Sequence, residues 1–317
     1  MRRSCFLMTL ALTAAGIAPA GAETIAVFTK NPGNPIFVAL RAGAAAAAKS
    51  LGVQAVQYFP STPDNVEQQA GLVDDAIKSK PDAIVFVPIN GKDLVPVAEK
   101  IAAAGIPLIN VNERLAGGKS AAFVGLDDYE LGLATAQYLF KAMGGKGNVV
   151  ILEGIATVAS SIGRVKGFNA ALKQFPDVKL LASKPAAYSK PQATRVTKDL
   201  LSSFPQVDGI LAANDPMALG AIDALKSASR KALVVGINGS REAIEPIKAG
   251  DLLASGDYSA FNQGCAGVQV AVRVLHKESV PKEVMLKPAI VDKSNAAAYE
   301  APVEQRTCPP LESAAAK

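Results

Sequence analysis

Short apolar runs alternate along this chain with longer stretches in which apolar positions recur every three or four residues. The runs read as strands at 24–29, 53–59, 83–87, 107–111, 121–124, 148–152, 179–183, 210–213, 232–236 and 252–256. The longer stretches read as helices at 35–51, 64–79, 92–104, 129–143, 160–175, 192–203, 215–227, 241–249 and 262–276. A last extended piece falls at 283–291, and a polar Ala/Pro-rich tail closes the chain at 300–317. Runs such as Ala83-Ile84-Val85-Phe86-Val87 carry no polar alternation, as expected of strands covered on both faces. Strands alternating with helices of this length form βαβ units on parallel sheets. About ten strands are too many for one tidy sheet, so an α/β fold with two similar Rossmann-like lobes is expected. The clearest seam is at 126–129, and short crossings rather than a flexible tether should join the lobes.

One window shows the local logic. Ile210 to Ala213 is a buried strand, and Asp215-Pro216 reads as a helix start, with Asp215 as N-cap and Pro216 at the first helical position. Met217, Leu219, Ile222 and Leu225 follow at helical spacing. Asp64 is the expected cap of the helix 64–79. Asn214 sits at the carboxyl end of its strand, where polar side chains of open parallel sheets face the ligand crevice. Its alternative reading is a turn former ahead of a capped helix.

The N-terminus changes what counts as the folded protein. Arg2-Arg3, an apolar run from Cys5 to Ala18 and the small residues Ala20-Gly21-Ala22 make a secretory signal peptide with cleavage after Ala22. The run is too short to span a bilayer. No Cys follows the small residues, so no lipid anchor is expected and the product should be exported and soluble. About 295 residues remain, enough for two domains of similar size. Cys265 and Cys308 are the two Cys left after the leader. An oxidising compartment would allow them to pair, and the alternative is a buried thiol and a tail thiol that never meet.

Catalysis is poorly provided for. Formal net charge is +5, with no Lys/Arg cluster interleaved with aromatics, which argues against nucleic acid. The single His, His276, ends an amphipathic helix, where a basic side chain suits the helix dipole. No metal site is expected, and Ser160 and Ser161 have no His to activate them. Gly117-Gly118-Lys119-Ser120 ends like a phosphate loop, but Glu113 stands where the earlier Gly is required. Gly144–Gly147 precedes a strand rather than joining strand to helix. Both read as turns, and no cofactor is expected.

Polar residues do recur at strand ends: Thr29 to Asn34, Asn110 to Glu113, Asp127-Asp128, Asn214-Asp215 and Asn238 to Ser240. Facing one another across a cleft, Asn and Asp side chains match vicinal hydroxyls, and an aromatic face packs on a sugar ring. Phe37, Tyr188 and Tyr258 are candidates for that face, each with core packing as its alternative.

These positions carry a resemblance. TKNPGNPIFVALRAGAAAAAKSLG (29–52), IPLINVNER (106–114), VGLDDYELG (124–132), GIATVASSIGRVKGF (154–168), AANDPMALGAIDAL (212–225) and VVGINGS (234–240) resemble, in order, landmarks of the periplasmic ribose-binding protein family. The Asn-Asp-x-Met-Ala-x-Gly block is the most specific. The resemblance implies a type I periplasmic solute-binding protein of a sugar ABC transporter. Its lobes, 23–126 plus 259–285 and 127–258 plus 286–299, would be joined by three hinge crossings. It implies ligand contacts from Asn34, Phe37, Asn112, Asp128, Tyr188, Asn214, Asn238 and Tyr258; Glu113, a departure from the family pattern, is added as a candidate contact to a cationic group. It also implies a periplasmic monomer that hands its ligand to a permease.

Several positions depart from the family pattern. Ile36 stands where an aromatic is usual. Asn112-Glu113, followed by Arg114, stands where ribose binders carry Asp-Arg. Ile162 replaces a ligand-contacting Arg, Asn238 an Asp and Tyr258 a Gln, while Arg164 is kept and reads as structural. Losing groups that fork onto hydroxyls argues against ribose and for a pentose, deoxy sugar or polyol. Two other functions stay open: a sensor delivering a ligand signal to a membrane receptor, and a sugar-modifying enzyme drawing on Asp127, Asp128 and Glu113. A repressor of the same fold is excluded by the leader and by the lack of DNA-binding helices.

Overall fold

The computed structural model describes residues 21–315, so the expected leader lies almost wholly outside the described residues. In chain order the first half contains β1 (Thr24–Phe28), α1 (Pro35–Leu51), β2 (Gln54–Tyr58), α2 (Val66–Lys78), β3 (Ala83–Phe86), α3 (Val95–Ala103), β4 (Leu108–Val111) and β5 (Ala122–Gly125). There follow α4 (Asp128–Ala142), β6 (Gly147–Glu153), α5 (Ala159–Gln174), β7 (Val178–Pro185), α6 (Lys190–Ser203), β8 (Gly209–Ala212), α7 (Asp215–Ser227), β9 (Leu233–Asn238), α8 (Arg241–Ala249) and β10 (Ala254–Asp257). The chain closes with α9 (Ala260–Leu275), β11 (Glu283–Met285), β12 (Ala289–Asp292), 3-10 turns at Ala296–Tyr299 and Val303–Gln305, and α10 (Leu311–Ala314).

These strands build two six-stranded sheets, ordered β11-β5-β4-β3-β1-β2 and β12-β10-β9-β8-β6-β7. Every pairing is parallel except β10 with β12. The architecture is the α/β, two-lobe arrangement expected from the alternation. The chain passes between the sheets after β5, after β10 and between β11 and β12. β3 and β8 are buried along their whole length, which explains their unbroken apolar sequence. Each such Ile, Val or Phe side chain stabilises the fold by about 1.5–3 kcal/mol. In the first lobe α1 lies against α9 at backbone contact. A Cβ on Gly264 would stand 1.9 Å from the Leu40 carbonyl oxygen, so only glycine permits this approach.

Three sequence expectations need correction. The cap of α2 is Asn65, whose side chain accepts from Gln68 N, and not Asp64, which has φ 58°. The cap of α7 is Asn214, not Asp215. Asp215 is the first helical residue and is turned into the sheet. The extended piece 283–291 is two strands in different sheets, broken at Pro288, which has no N–H to donate to a ladder. Of the two alternatives for the Cys pair, the structure has the bonded one: Cys265 and Cys308 form a disulfide with Cα atoms 5.6 Å apart, which docks the tail, and Leu311 is buried.

Candidate functional site

Most of the polar residues singled out in the sequence lie where strands end and helices begin. The loop after β1 is shaped by Arg41, whose Nη1 donates to Thr29 Oγ1 at 2.9 Å and whose Nη2 donates to Pro32 O at 2.6 Å. Asn31 Oδ1 accepts from Gly33 N and Asn34 N. That turn delivers Asn34 as N-cap of α1, its Oδ1 accepting from Ile36 N at 3.0 Å. Asn34 is exposed and joins none of the contacts described below. Phe37 is buried one turn further on, with Lys30 Nζ 6.0 Å from its ring centroid.

The loop after β4 is built by Asn110, which donates to Glu113 O at 2.7 Å and accepts from Leu115 N at 3.0 Å. It holds Asn112 at φ 68°, a left-handed conformation that Asn tolerates better than most residues. Asn112 Nδ2 reaches Tyr258 OH at 3.3 Å and Gln263 Oε1 at 2.9 Å. Gln263 in turn donates to Tyr258 O at 2.8 Å, fixing the second crossing to the first lobe. Glu113 is paired with Lys30 at 3.5 Å. Arg114 turns away, forks onto Glu283 at 2.8 and 3.0 Å and stacks on Phe123 at 3.8 Å.

Arg164, on α5, organises the second lobe's side of the site. It is 4% exposed. Its Nε donates to Asp128 Oδ1 at 2.8 Å, and its Nη1 donates to Ala213 O at 2.8 Å and to Asn238 Oδ1 at 3.4 Å. Its guanidinium lies 5.2 Å from the Tyr258 ring centroid. Burial works against its charge, yet the Asp128 carboxylate and the neighbouring tyrosines keep its pKa above the ordinary value. The Tyr258 hydroxyl is pushed up, first by burial and then by Asp128. One side chain therefore brackets Asp128, Asn238, Tyr258 and the strand end that carries Asn214.

Asn214 serves two elements with different atoms. Its Oδ1 accepts from Met217 N at 3.0 Å and caps α7, while its Nδ2 makes only a long 3.4 Å bond to Tyr188 O. The amide nitrogen is thus the less committed of the two groups. Tyr188 has φ 58°, its hydroxyl lies 3.0 Å from Ser160 Oγ, and its ring covers Gly154, where a Cβ would come within 2.3 Å. Behind this surface Asp215 is fully buried and accepts from Ser255 Oγ at 2.6 Å and Ser240 N at 2.8 Å. Its carboxyl is pushed up by burial, against those hydrogen bonds.

Of the nine residues singled out, the structure thus joins Asn112, Asp128, Asn238 and Tyr258 in one network around Arg164. Tyr188 and Asn214 adjoin it, Phe37 and Glu113 meet through Lys30, and Asn34 stands apart. Asn112, Tyr188 and Asn238 all have positive φ, and backbone held in sparsely populated regions clusters at functional sites. Sequence reasoning did not single out Lys30 or Gln263, and took Arg164 only as structural. Ile162 is exposed on the first turn of α5. Among the described residues no group of three or more His, Cys, Asp or Glu is placed to hold a metal ion, and no helix is long and apolar enough to cross a membrane.

The family described as periplasmic binding protein domain matches residues 25–279. A xylitol-binding protein of Mycolicibacterium smegmatis is 35% identical over 262 residues, covering 82% of this chain and 74% of the relative. A D-apiose import binding protein of Paraburkholderia graminis is 32% identical over 288 residues, covering 90% and 91%. Among solved structures, an ABC transporter periplasmic solute binding protein from Actinobacillus succinogenes with bound D-allose superposes with a TM-score of 0.78 at 34% identity, covering 87% of this chain and 99% of that one.

Proposed function

This chain belongs to the periplasmic binding protein domain family, and from that premise we propose that it captures a monosaccharide-like ligand in the cleft between its lobes and hands it to the permease of an ABC importer. The ligand is a pentose, a deoxy sugar or a polyol. The work is binding, driven by closure of the two lobes about the crossings, with no turnover. We place the protein in the periplasm, after removal of its leader, as a monomer with lobes 23–126 plus 259–285 and 127–258 plus 286–299.

The observation that carries this reading is the network around Arg164. It ties carboxylate, amide and phenol groups from strand ends of both lobes into one surface, with the guanidinium consumed by its own neighbours. Such a surface offers hydroxyl-matching amides and carboxylates but no uncommitted arginine fork. Arg114, the remaining guanidinium near the β4 loop, is spent on Glu283. An uncharged polyhydroxylated ligand fits that supply, and ribose is not the ligand we propose, because Asn112, Glu113, Ile162, Asn238 and Tyr258 replace the groups ribose binders use. The contacts would come from Asn34, Phe37, Asn112, Glu113, Asp128, Tyr188, Asn214, Asn238 and Tyr258, supported by the location of most of them in the loops where strands give way to helices, with Asn34 and Phe37 at the start of α1. Relatives that bind xylitol and D-apiose are in keeping with this chemistry.

A thermal-shift screen over pentoses, deoxy sugars, polyols and inositols, followed by calorimetry, tests the proposal. A true ligand in large excess over its Kd raises the melting temperature by mass action. A flat response across all four classes would remove it.

A further inference from the structure

After β12 the chain takes a course that the ligand site does not explain. The turn Ala296–Tyr299 sits on α8 of the second lobe. There Glu300 pairs with Lys248 at 2.5 Å, and Tyr299 OH donates to Asp257 Oδ2 at 2.9 Å. The chain then moves onto the first lobe. Val303–Gln305 packs on α1, Cys308 is bonded to Cys265 of α9, Gln269 Nε2 donates to Pro309 O at 3.0 Å, and Arg273 pairs with Glu312. Residues 314–315 lie beside the third crossing, where Lys287 N donates to Ala314 O at 3.0 Å and Leu286 bridges to Ala315.

Two of these contacts bear on crossings. Asp257 closes β10 and accepts from Ser259 N at 2.7 Å and Ser259 Oγ at 3.2 Å, so it holds the second crossing with Ser259 at φ 53°. Tyr299 bonds that same carboxylate from outside. Residues 314–315 grip the third crossing in the same way. The segment is thus a fourth connection between the lobes, and it holds two of the other three.

We propose that residues 299–315 form a hinge clamp, anchored on the first lobe by the Cys265–Cys308 disulfide and on the second by the Tyr299–Asp257 hydrogen bond, which limits how far the lobes move relative to one another. Rotation of the lobes is absorbed by backbone angles at the crossings. A segment bonded to two crossings and fixed at both ends narrows the range of angles they sample. Releasing either anchor widens it. A simple staple of the first lobe would respond to loss of the disulfide alone.

The test needs no knowledge of the ligand, so its outcome is independent of the transport reading. Hydrogen exchange and small-angle scattering are compared for the unliganded, oxidised chain, for C265S/C308S and for Tyr299→Phe. The amides of Tyr258, Ser259 and Gln263 should exchange about tenfold faster in both variants, while those of β3 and β8 keep their protection. The radius of gyration should rise in both. Tyr299→Phe leaves the disulfide in place, so it decides the matter even if the cysteine variant folds poorly. Unchanged hinge exchange and unchanged scattering in Tyr299→Phe overturn the proposal. So does an effect confined to C265S/C308S.

Discussion

Asn214 offers a way to separate the two jobs that one side chain is given. Its Oδ1 caps α7 and its Nδ2 is the group proposed for ligand. Asn214→Ala removes both. Loss of an N-cap costs about 0.5–2 kcal/mol of stability. Loss of a donor to a buried ligand hydroxyl costs about 1–3 kcal/mol of affinity, or roughly 5- to 150-fold in Kd. Asn214→Ser keeps a good cap, so its stability should stay within about 0.5 kcal/mol of the parent, but it has no amide to offer. Urea denaturation without ligand reads the first effect, and calorimetry with the sugar or polyol found by screening reads the second. The two substitutions should therefore match in affinity and differ in stability. Unchanged ligand affinity in Asn214→Ser would refute the contact, and full stability in Asn214→Ala would refute the cap.

Four more outcomes follow from the same structure. Arg164→Met should destabilise by about 3–5 kcal/mol in urea, because it strands a partly buried Asp128 and the Ala213 carbonyl, and adding Asp128→Asn should recover a substantial part. No recovery in the double variant would mean the pair is not the reason for the loss. Thiol titration of the denatured, unreduced protein should find neither Cys265 nor Cys308 free, and two free thiols would disprove the bond. Gly264→Ala should cost at least about 1–3 kcal/mol of stability, since its methyl would overlap the Leu40 carbonyl; a neutral result in thermal melts would contradict the backbone contact of α1 and α9. The Asp215 carboxyl is raised in the folded state, so it binds its proton more tightly folded than unfolded. Its contribution is present below the unfolded pKa of about 3.9 and is lost as pH rises through the folded value. Stability of the parent relative to Asp215→Asn, measured in urea from pH 4 to 7, should fall with pH, and a constant difference would contradict the shift.

The alternation of strands and helices was legible because it depends on local periodicity. Both misplaced caps have one physical cause. Asn65 stands beside Asp64, and Asn214 beside Asp215, and either residue type can cap a helix. Asp215 is claimed by Ser255 and Ser240, which lie 40 and 25 residues away, so local sequence could not decide. The same limit hid Lys30 and Gln263, whose partners Glu113 and Asn112 are 83 and 151 residues distant. Arg164 was visible as a residue but not as a bracket, since its partners are contributed by α4, β8 and β9. Pro288 did carry a local signal for the break between β11 and β12, in a segment read as one extended piece.

The placement of α9 has a consequence for how the chain folds. The helix that packs on α1, and the strand β11 that edges the first sheet, both come after the entire run from α4 to β10. A chain emerging from its N-terminus therefore makes the first lobe's opening strands long before it makes the helix that covers them. The second lobe lacks only its antiparallel edge, β12, once β10 is made. The later half is thus the first that can complete a core, and the earlier half must wait with α1 uncovered. Contacts across so much sequence close slowly. Any deletion that removes α9 should accordingly unfold the lobe at the opposite end of the chain and spare the one beside it.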